Sequence, residues 1–250
     1  MGFVIAIAGK GGTGKTTIAA LIVRLIKEKK LGSILAIDAD PNSNLAETLG
    51  QDVKQSIGSI LDNICAHPEQ VPAGMSKDRF IEYRVQTAIE EGEGFDILTM
   101  GRPEGPGCYC YVNNVLRNIM DRLIRDYDYI VIDNEAGLEH LSRRTTRYAD
   151  TAVIVSDATA VGLKAAKRIR DLIQELAIKT RKNLLIINRC NTDIDKEKLK
   201  NLGLDYLCRI PQDDQIEKLS LNGNSLWKLN DDAVSISALR KCAQDLWQLN

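Results

Sequence analysis

Short apolar runs rich in valine and isoleucine recur along the chain: FVIAIA (3–8), SILAID (33–38), FDILTM (95–100), YDYIVID (127–133), TAVIVS (151–156), NLLIIN (183–188) and DYLCRI (205–210). Their apolarity is continuous rather than alternating, which marks strands covered on both faces and hence a parallel sheet. Between them, apolar residues fall three and four apart in TTIAALIVRLIKEKK from Thr16 and GLKAAKRIRDLIQELAI from Gly162. That period belongs to amphipathic helices laid on a sheet. The pattern predicts an α/β fold, a doubly wound, mainly parallel sheet with helices on both faces. From Leu49 to Gly94 the rhythm breaks in AHPEQVPAGMSKDRF, and this segment reads as a mostly helical or irregular excursion between two strands. With no repeat, low-complexity tract or linker, residues 1–250 read as a single domain.

Composition narrows the function classes. A chain of 250 residues, 44% hydrophobic, can bury one full core. A net charge of −1 gives no global attraction to nucleic acid or to an anionic membrane, which disfavours a generic polyanion binder while leaving room for a local basic patch, and no nucleic-acid partner is expected. The start, MGFVIAIAGKGG, lacks a charged leader and a small-residue cleavage site, and no apolar run reaches the length of a membrane span. A cytoplasmic protein is expected. Six cysteines are scattered along the chain, unlike the dense framework of a disulfide scaffold. Cys65, Cys190, Cys208 and Cys242 lie in apolar patterns and read as buried small hydrophobes.

The strongest motif is GKGGTGKTT, Gly9 to Thr17, between the first strand and the first helix. It fits the phosphate-binding P-loop. Glycines Gly9, Gly11, Gly12 and Gly14 let backbone N–H groups turn toward phosphate oxygens around Thr13, and Lys15 adds a point charge. Thr16 offers a hydroxyl to Mg²⁺, with Thr17 beside it in the helix's first turn. DADPNSNL follows the second strand, which puts Asp38 and Asp40 at a strand end, where ligands meet a doubly wound sheet. The run IVIDNEAG closes on Asp133 and reads as Walker B, with Gly137 free to swing toward a γ-phosphate as a switch.

A second lysine, Lys10, sits inside the loop, and KGGTGKT resembles the deviant Walker A signature. That class of P-loop ATPases includes nitrogenase iron protein, the Min and Par positioning ATPases and the arsenite-pump ATPase. The resemblance implies Mg²⁺-dependent ATP hydrolysis in a nucleotide-sandwich homodimer, with Lys10 reaching the partner's phosphates. It further implies that Asp40 positions the attacking water, that Asp38 supports the metal's water shell, and that Asn188, Pro211 and Asp213 hold the adenine.

Cys108 and Cys110, in EGPGCYC, are near neighbours. Soft thiolates at this spacing can point at one metal ion, but two do not complete a shell. A two-fold axis near the loop would bring two more from a second chain. GRPEGPGCYC, with NNVLR after it, EGEGFDILTMG before it and IDNEAGLEHLSRRT and IPQDDQIEKLSLNG further on, resembles the CooC-type ATPases that help put nickel into carbon monoxide dehydrogenase, whose relatives serve acetyl-CoA synthase. The resemblance implies a metallochaperone binding Ni²⁺, or Zn²⁺ in vitro, at Cys108 and Cys110 of both chains. His67 and His140 are the only histidines, so the chain has no storage tract for nickel. His140 suits a relay of nucleotide state and a plain helix face equally, while Arg143, Arg144 and Arg147 read as a solvated cluster.

Two rival readings stay open. A positioning ATPase would need a basic amphipathic terminal helix, whereas SISALRKCAQDLWQLN carries Leu239, Cys242, Leu246 and Leu249 at core-like spacing. Its DNA-binding form would need KAAKRIR and KTRK to form one exposed stripe. An iron-sulfur redox ATPase resembling nitrogenase iron protein would need a cysteine in the switch stretch DNEAGLEH, which has none.

Overall fold

In the computed structural model, which describes residues 2–101, 109–135 and 148–247 (backbone alone for 109–117 and 196), the apolar runs become strands of one sheet. In chain order they are β1 (Phe3–Gly9), β2 (Ile34–Ala39), β3 (Glu90–Glu91), β4 (Asp96–Thr99), β5 (Tyr129–Asn134), β6 (Tyr148–Ser156), β7 (Lys179–Ile187) and β8 (Asp205–Arg209). Their spatial order is β3-β4-β2-β5-β1-β6-β7-β8, and every pairing is parallel except β3 with β4. β1 sits where the chain's winding reverses, with β5 on one side and β6 on the other. That reversal opens a crevice at the carboxyl ends of the strands.

The helices are α1 (Lys15–Glu28), α2 (Asn44–Thr48), α3 (Ile57–Ala66), α4 (Lys77–Gln86), α5 (Tyr109–Asp126) and α6 (Ala160–Glu175), followed by α7 (Lys196–Lys200), α8 (Asp214–Leu221), α9 (Val234–Cys242) and α10 (Gln244–Trp247). β1 shows how they divide: Val4, Ala6 and Ala8 enter one core with α3, α4, α5 and α6, while Ile5 and Ile7 enter the other with α1, α2, α9 and α10. Burying each isoleucine stabilises the fold by about 1.5–3 kcal/mol, so both faces of the strand hold it in place. α1 is buried almost all round, from Ile18 to Ile26. Arg24, buried in its middle, is held by Glu28, by Asp231 and by the carbonyls of Leu226 and Leu229.

The structure departs from the sequence pattern in three places. The excursion holds α3 and α4, as expected, but also β3, an antiparallel edge on β4. Glu90 and Glu91 carry no apolar signal that would mark a strand. β6 and β7 begin earlier than their apolar runs, so KTRK forms the start of β7 and pairs with the start of β6. Cys65 is exposed, not buried. On α3 the apolar stripe is Ile57, Ile60, Leu61 and Ile64, and Cys65, one residue further round the helix, turns to solvent. Cys190 is buried, while Cys208 and Cys242 are half-buried. Among the described residues no helix is long and apolar enough to cross a membrane.

Candidate nucleotide site

β1 ends at Gly9, and the chain turns through Lys10–Gly14 into α1. The N–H and Oγ1 of Thr13 donate to the Lys10 carbonyl at 3.3 and 2.9 Å, closing the loop on itself. Gly14 has φ 89°, and a Cβ there would lie 2.4 Å from Asn188 Nδ2, so backbone conformation and space both require glycine. Thr13 and Lys15 are buried, and Thr16 and Thr17 are partly covered. Lys10, Gly11 and Gly12 are exposed at the tip. The first turn of α1 leaves N–H groups without helical acceptors, and its dipole favours an anion there.

Asp38 and Asp133 are register partners on β2 and β5. Asp38 is fully buried; one oxygen accepts the Leu45 N–H at 2.8 Å and the other the Asp40 N–H at 3.2 Å. Burial pushes its pKa up to about 7, the Leu45 N–H pulls it back, and the Asp133 charge raises it further. Asp133 is 1% exposed, and no protein donor in hydrogen-bond geometry reaches either of its oxygens. Burial raises its pKa to about 6, against the Thr16 hydroxyl and the Lys15 charge, which lower it. Asp40 lies at the mouth, its Oδ1 accepting the N–H and Nδ2 of Asn42 at 2.9 and 3.0 Å.

Sequence reasoning passed over Thr99 and Asn134. Thr99 is the register partner of Asp38 on β4, buried with an unpaired hydroxyl. Asn134 donates to the Ile7 carbonyl at 2.9 Å and leaves its own buried oxygen unpaired. The available signal was a polar residue closing an otherwise apolar strand.

Beside α1 a cavity of about 450 Å³ brings together Thr17, Asn188, Pro211 and Asp213. Its apolar walls are Ile18, Leu21, Ile210 and Ile216, and its rim adds Arg189 and Glu217, which the sequence pattern did not single out. Asn188 Nδ2 donates to the Thr13 carbonyl at 2.9 Å, and Arg189, with φ 53°, donates to the Gly12 carbonyl at 3.3 Å. The cavity wall is thereby tied to the P-loop backbone. Asp213 borders the cavity, but its carboxylate is committed elsewhere. One oxygen caps α8 through the Gln215 N–H at 3.0 Å, and the other accepts the Ser235 N–H at 3.0 Å and Oγ at 2.6 Å. Burial alone would raise its pKa; the bonds from Ser235, Gln215 and Ile216 outweigh it and hold the carboxyl below its usual value.

Cys108, Gly137, His140, Arg143, Arg144, Arg147 and Leu249 lie outside the described residues, and of Cys110 only the backbone, in the first turn of α5, is described. His67 is exposed and sits 3.1 Å from Glu69. Among the described residues no three His, Cys, Asp or Glu side chains come together as a metal site.

A P-loop at the central strand, with two buried aspartates facing it and a cavity tied to its backbone, defines a P-loop ATPase with a MinD/ParA-like fold. The chain belongs to the AAA domain family, which matches residues 2–186. It is 42% identical over 248 residues to an uncharacterized ATP-binding protein of Methanocaldococcus jannaschii, covering 97% of this chain and 98% of that one. The carbon monoxide dehydrogenase accessory protein CooC of Rhodospirillum rubrum is 28% identical over 246 residues, 90% of each chain. Among solved structures, the cell division ATPase MinD of Pyrococcus furiosus matches with a TM-score of 0.72 at 22% identity over 98% of each chain.

Proposed function

We propose that this ATPase is a metallochaperone: a nucleotide-gated homodimer that carries nickel, or zinc in vitro, between Cys108 and Cys110 of both copies. Carbon monoxide dehydrogenase or acetyl-CoA synthase receives the ion. The observation that carries this reading is the Met100 N–H, which donates to the Asp38 carbonyl at 2.8 Å. The chain therefore leaves β4 directly beside the buried Asp38, eight residues before Cys108 in sequence. Similarity to an accessory protein of carbon monoxide dehydrogenase supports the same client.

In this reading Lys15 and the α1 N-terminus hold the β- and γ-phosphates. The unpaired, buried oxygens of Asp133 fit the water shell of a cation, so Thr16, Asp38 and Asp133 would hold Mg²⁺. When bound, Mg²⁺ neutralises charge on the β- and γ-oxygens. Asp40 orients the attacking water, and exposed Lys10 reaches the partner's phosphates. Asn188, whose Nδ2 is engaged with Thr13, keeps Oδ1 to accept the exocyclic amine of adenine, with Pro211 beside it; Asp213 acts as the brace of that wall. Gly137 senses the γ-phosphate.

Four thiolates around one divalent ion leave a charge of about −2, and unit charges ~4 Å apart repel by ~4 kcal/mol at an effective dielectric of 20. Such a site holds its ion only while the dimer is closed. Linkage makes the effect mutual: if ATP favours metal binding, metal favours the ATP-bound dimer by the same factor. Leu239 and Leu246 are fully buried against the sheet, so these two side chains are not offered to a bilayer.

The test uses metal-free client enzyme incubated with the chain, nickel and ATP. Client activity should rise only when all three are present and stall with a non-hydrolysable analogue. Activation at the same rate without ATP would contradict the proposal.

A further inference from the structure

β8 is an edge strand and pairs with β7 through an irregularity: Leu185 faces Tyr206, but the next residue, Ile186, faces Cys208. Leu207 is the extra residue of a β-bulge. Side chains on a strand alternate between faces, so one inserted residue changes the face on which the next side chain stands. Without the bulge Cys208 would pair with Ile187 and share the core of α3 to α6, to which Ile187 belongs. With it, Cys208 pairs with Ile186 and packs on the face covered by α9. Cys242, the last residue of α9, packs against the same core.

The two thiols interact electrostatically across the packing of α9 on β8, the Cys242 S–H also donating to the Leu239 carbonyl at 3.2 Å, and each is half-buried, so small oxidants reach them. Their environments differ. The neighbouring Cys208 thiol holds Cys242 below the ordinary thiol range, while the same proximity and burial push Cys208 up. One member is thus set up as the nucleophile.

We propose that Cys208 and Cys242 form an oxidisable dithiol that closes to a reversible disulfide under hydroperoxides, fastening β8 to α9. The Cys242 thiolate attacks one peroxide oxygen and expels hydroxide, leaving a sulfenic acid. Cys208, as thiolate, then attacks that sulfur, forms the S–S bond and expels a second hydroxide. The two thiol protons turn both hydroxides to water, and the two electrons lost by sulfur reduce the peroxide. The bond lies next to the nucleotide cavity. Cys208 is two residues before the cavity residue Ile210, and α9 carries Ser235, which holds Asp213 at the cavity's border. Closing it fixes both walls against each other and changes ATP affinity.

The test treats the reduced full-length chain with hydrogen peroxide, blocks free thiols, and maps peptides by mass spectrometry while ATP affinity is measured. The expected product is a Cys208–Cys242 cross-linked peptide, lighter by two hydrogens and reopened by dithiothreitol. In Cys208→Ser, Cys242 should be trapped by dimedone as the sulfenic acid; in Cys242→Ser, Cys208 should stay a free thiol. ATP affinity should change on oxidation of the parent and not of Cys208→Ser. Peroxide consumption only at Cys65, Cys108, Cys110 or Cys190, with no 208–242 link, would overturn the site. A linked protein with unchanged ATP affinity would overturn its regulatory role.

Discussion

Asp38 and Asp133 stand opposite one another on β2 and β5, both almost wholly buried, and of the two it is Asp38 that accepts backbone N–H bonds, from Asp40 and Leu45. The fold holds two carboxyl groups in a place where burial disfavours their charge. In protein free of nucleotide and metal, their pKa values near 7 and 6 exceed the unfolded value of 3.8. The native state therefore binds more protons than the unfolded state between those limits. The resulting stability is complete below pH ~4 and is lost as pH rises through about 6 to 7. Chemical denaturation across that range should show it. Asp133→Asn should flatten the slope and stabilise the empty protein at pH 7 by about 1–3 kcal/mol, while abolishing ATP hydrolysis.

Asn188 and Asp213 border the same cavity but should respond to mutation in different ways. Asn188→Ala removes the donor to Thr13 and the proposed acceptor for adenine; ATP affinity should fall by about ten- to a hundredfold in calorimetry, with little change in the unfolding midpoint. Asp213→Ala removes a helix cap and both bonds to Ser235, so it should cost about 1–3 kcal/mol of stability in denaturant titration.

Lys15 and Lys10 separate binding from assembly. Lys15→Ala should abolish ATP-dependent dimerisation, read as mass by light scattering. Lys10→Ala should leave ATP binding to the monomer intact and slow hydrolysis by about a thousandfold, the scale of a charge supplied in trans. Full activity in Lys10→Ala would sink its proposed role.

At Gly14 the conformation is left-handed and Asn188 Nδ2 fills the space of a side chain. Gly14→Ala should therefore weaken ATP binding and lower stability by at least about 1 kcal/mol, seen together in a thermal shift with and without nucleotide.

The sheet was legible because strands buried on both faces are written as continuous apolar runs, from Val4 to Ala8 and from Ile130 to Ile132. β3 was not, since two glutamates at an edge carry no such record. The P-loop announced itself through glycine spacing, and the strand-end aspartates followed from it. Thr99, Asn134 and Arg189 were hidden because their significance lies in what faces them across the sheet or the loop: an Asp38 neighbour, an Ile7 carbonyl, a Gly12 carbonyl. The exposure of Cys65 depends on helical phase, which a count of nearby apolar residues blurs. The meeting of Cys208 with Cys242 depends on a one-residue bulge that no local pattern encodes.

The most direct test of the account is an anaerobic nickel titration of the purified chain with and without ATP, scored for metal per dimer and oligomeric mass beside a Cys108→Ser, Cys110→Ser variant. The account predicts one ion per ATP-bound dimer in the parent, tighter dimerisation in its presence, and loss of both effects in the variant. Nickel binding by the variant equal to that of the parent would contradict it.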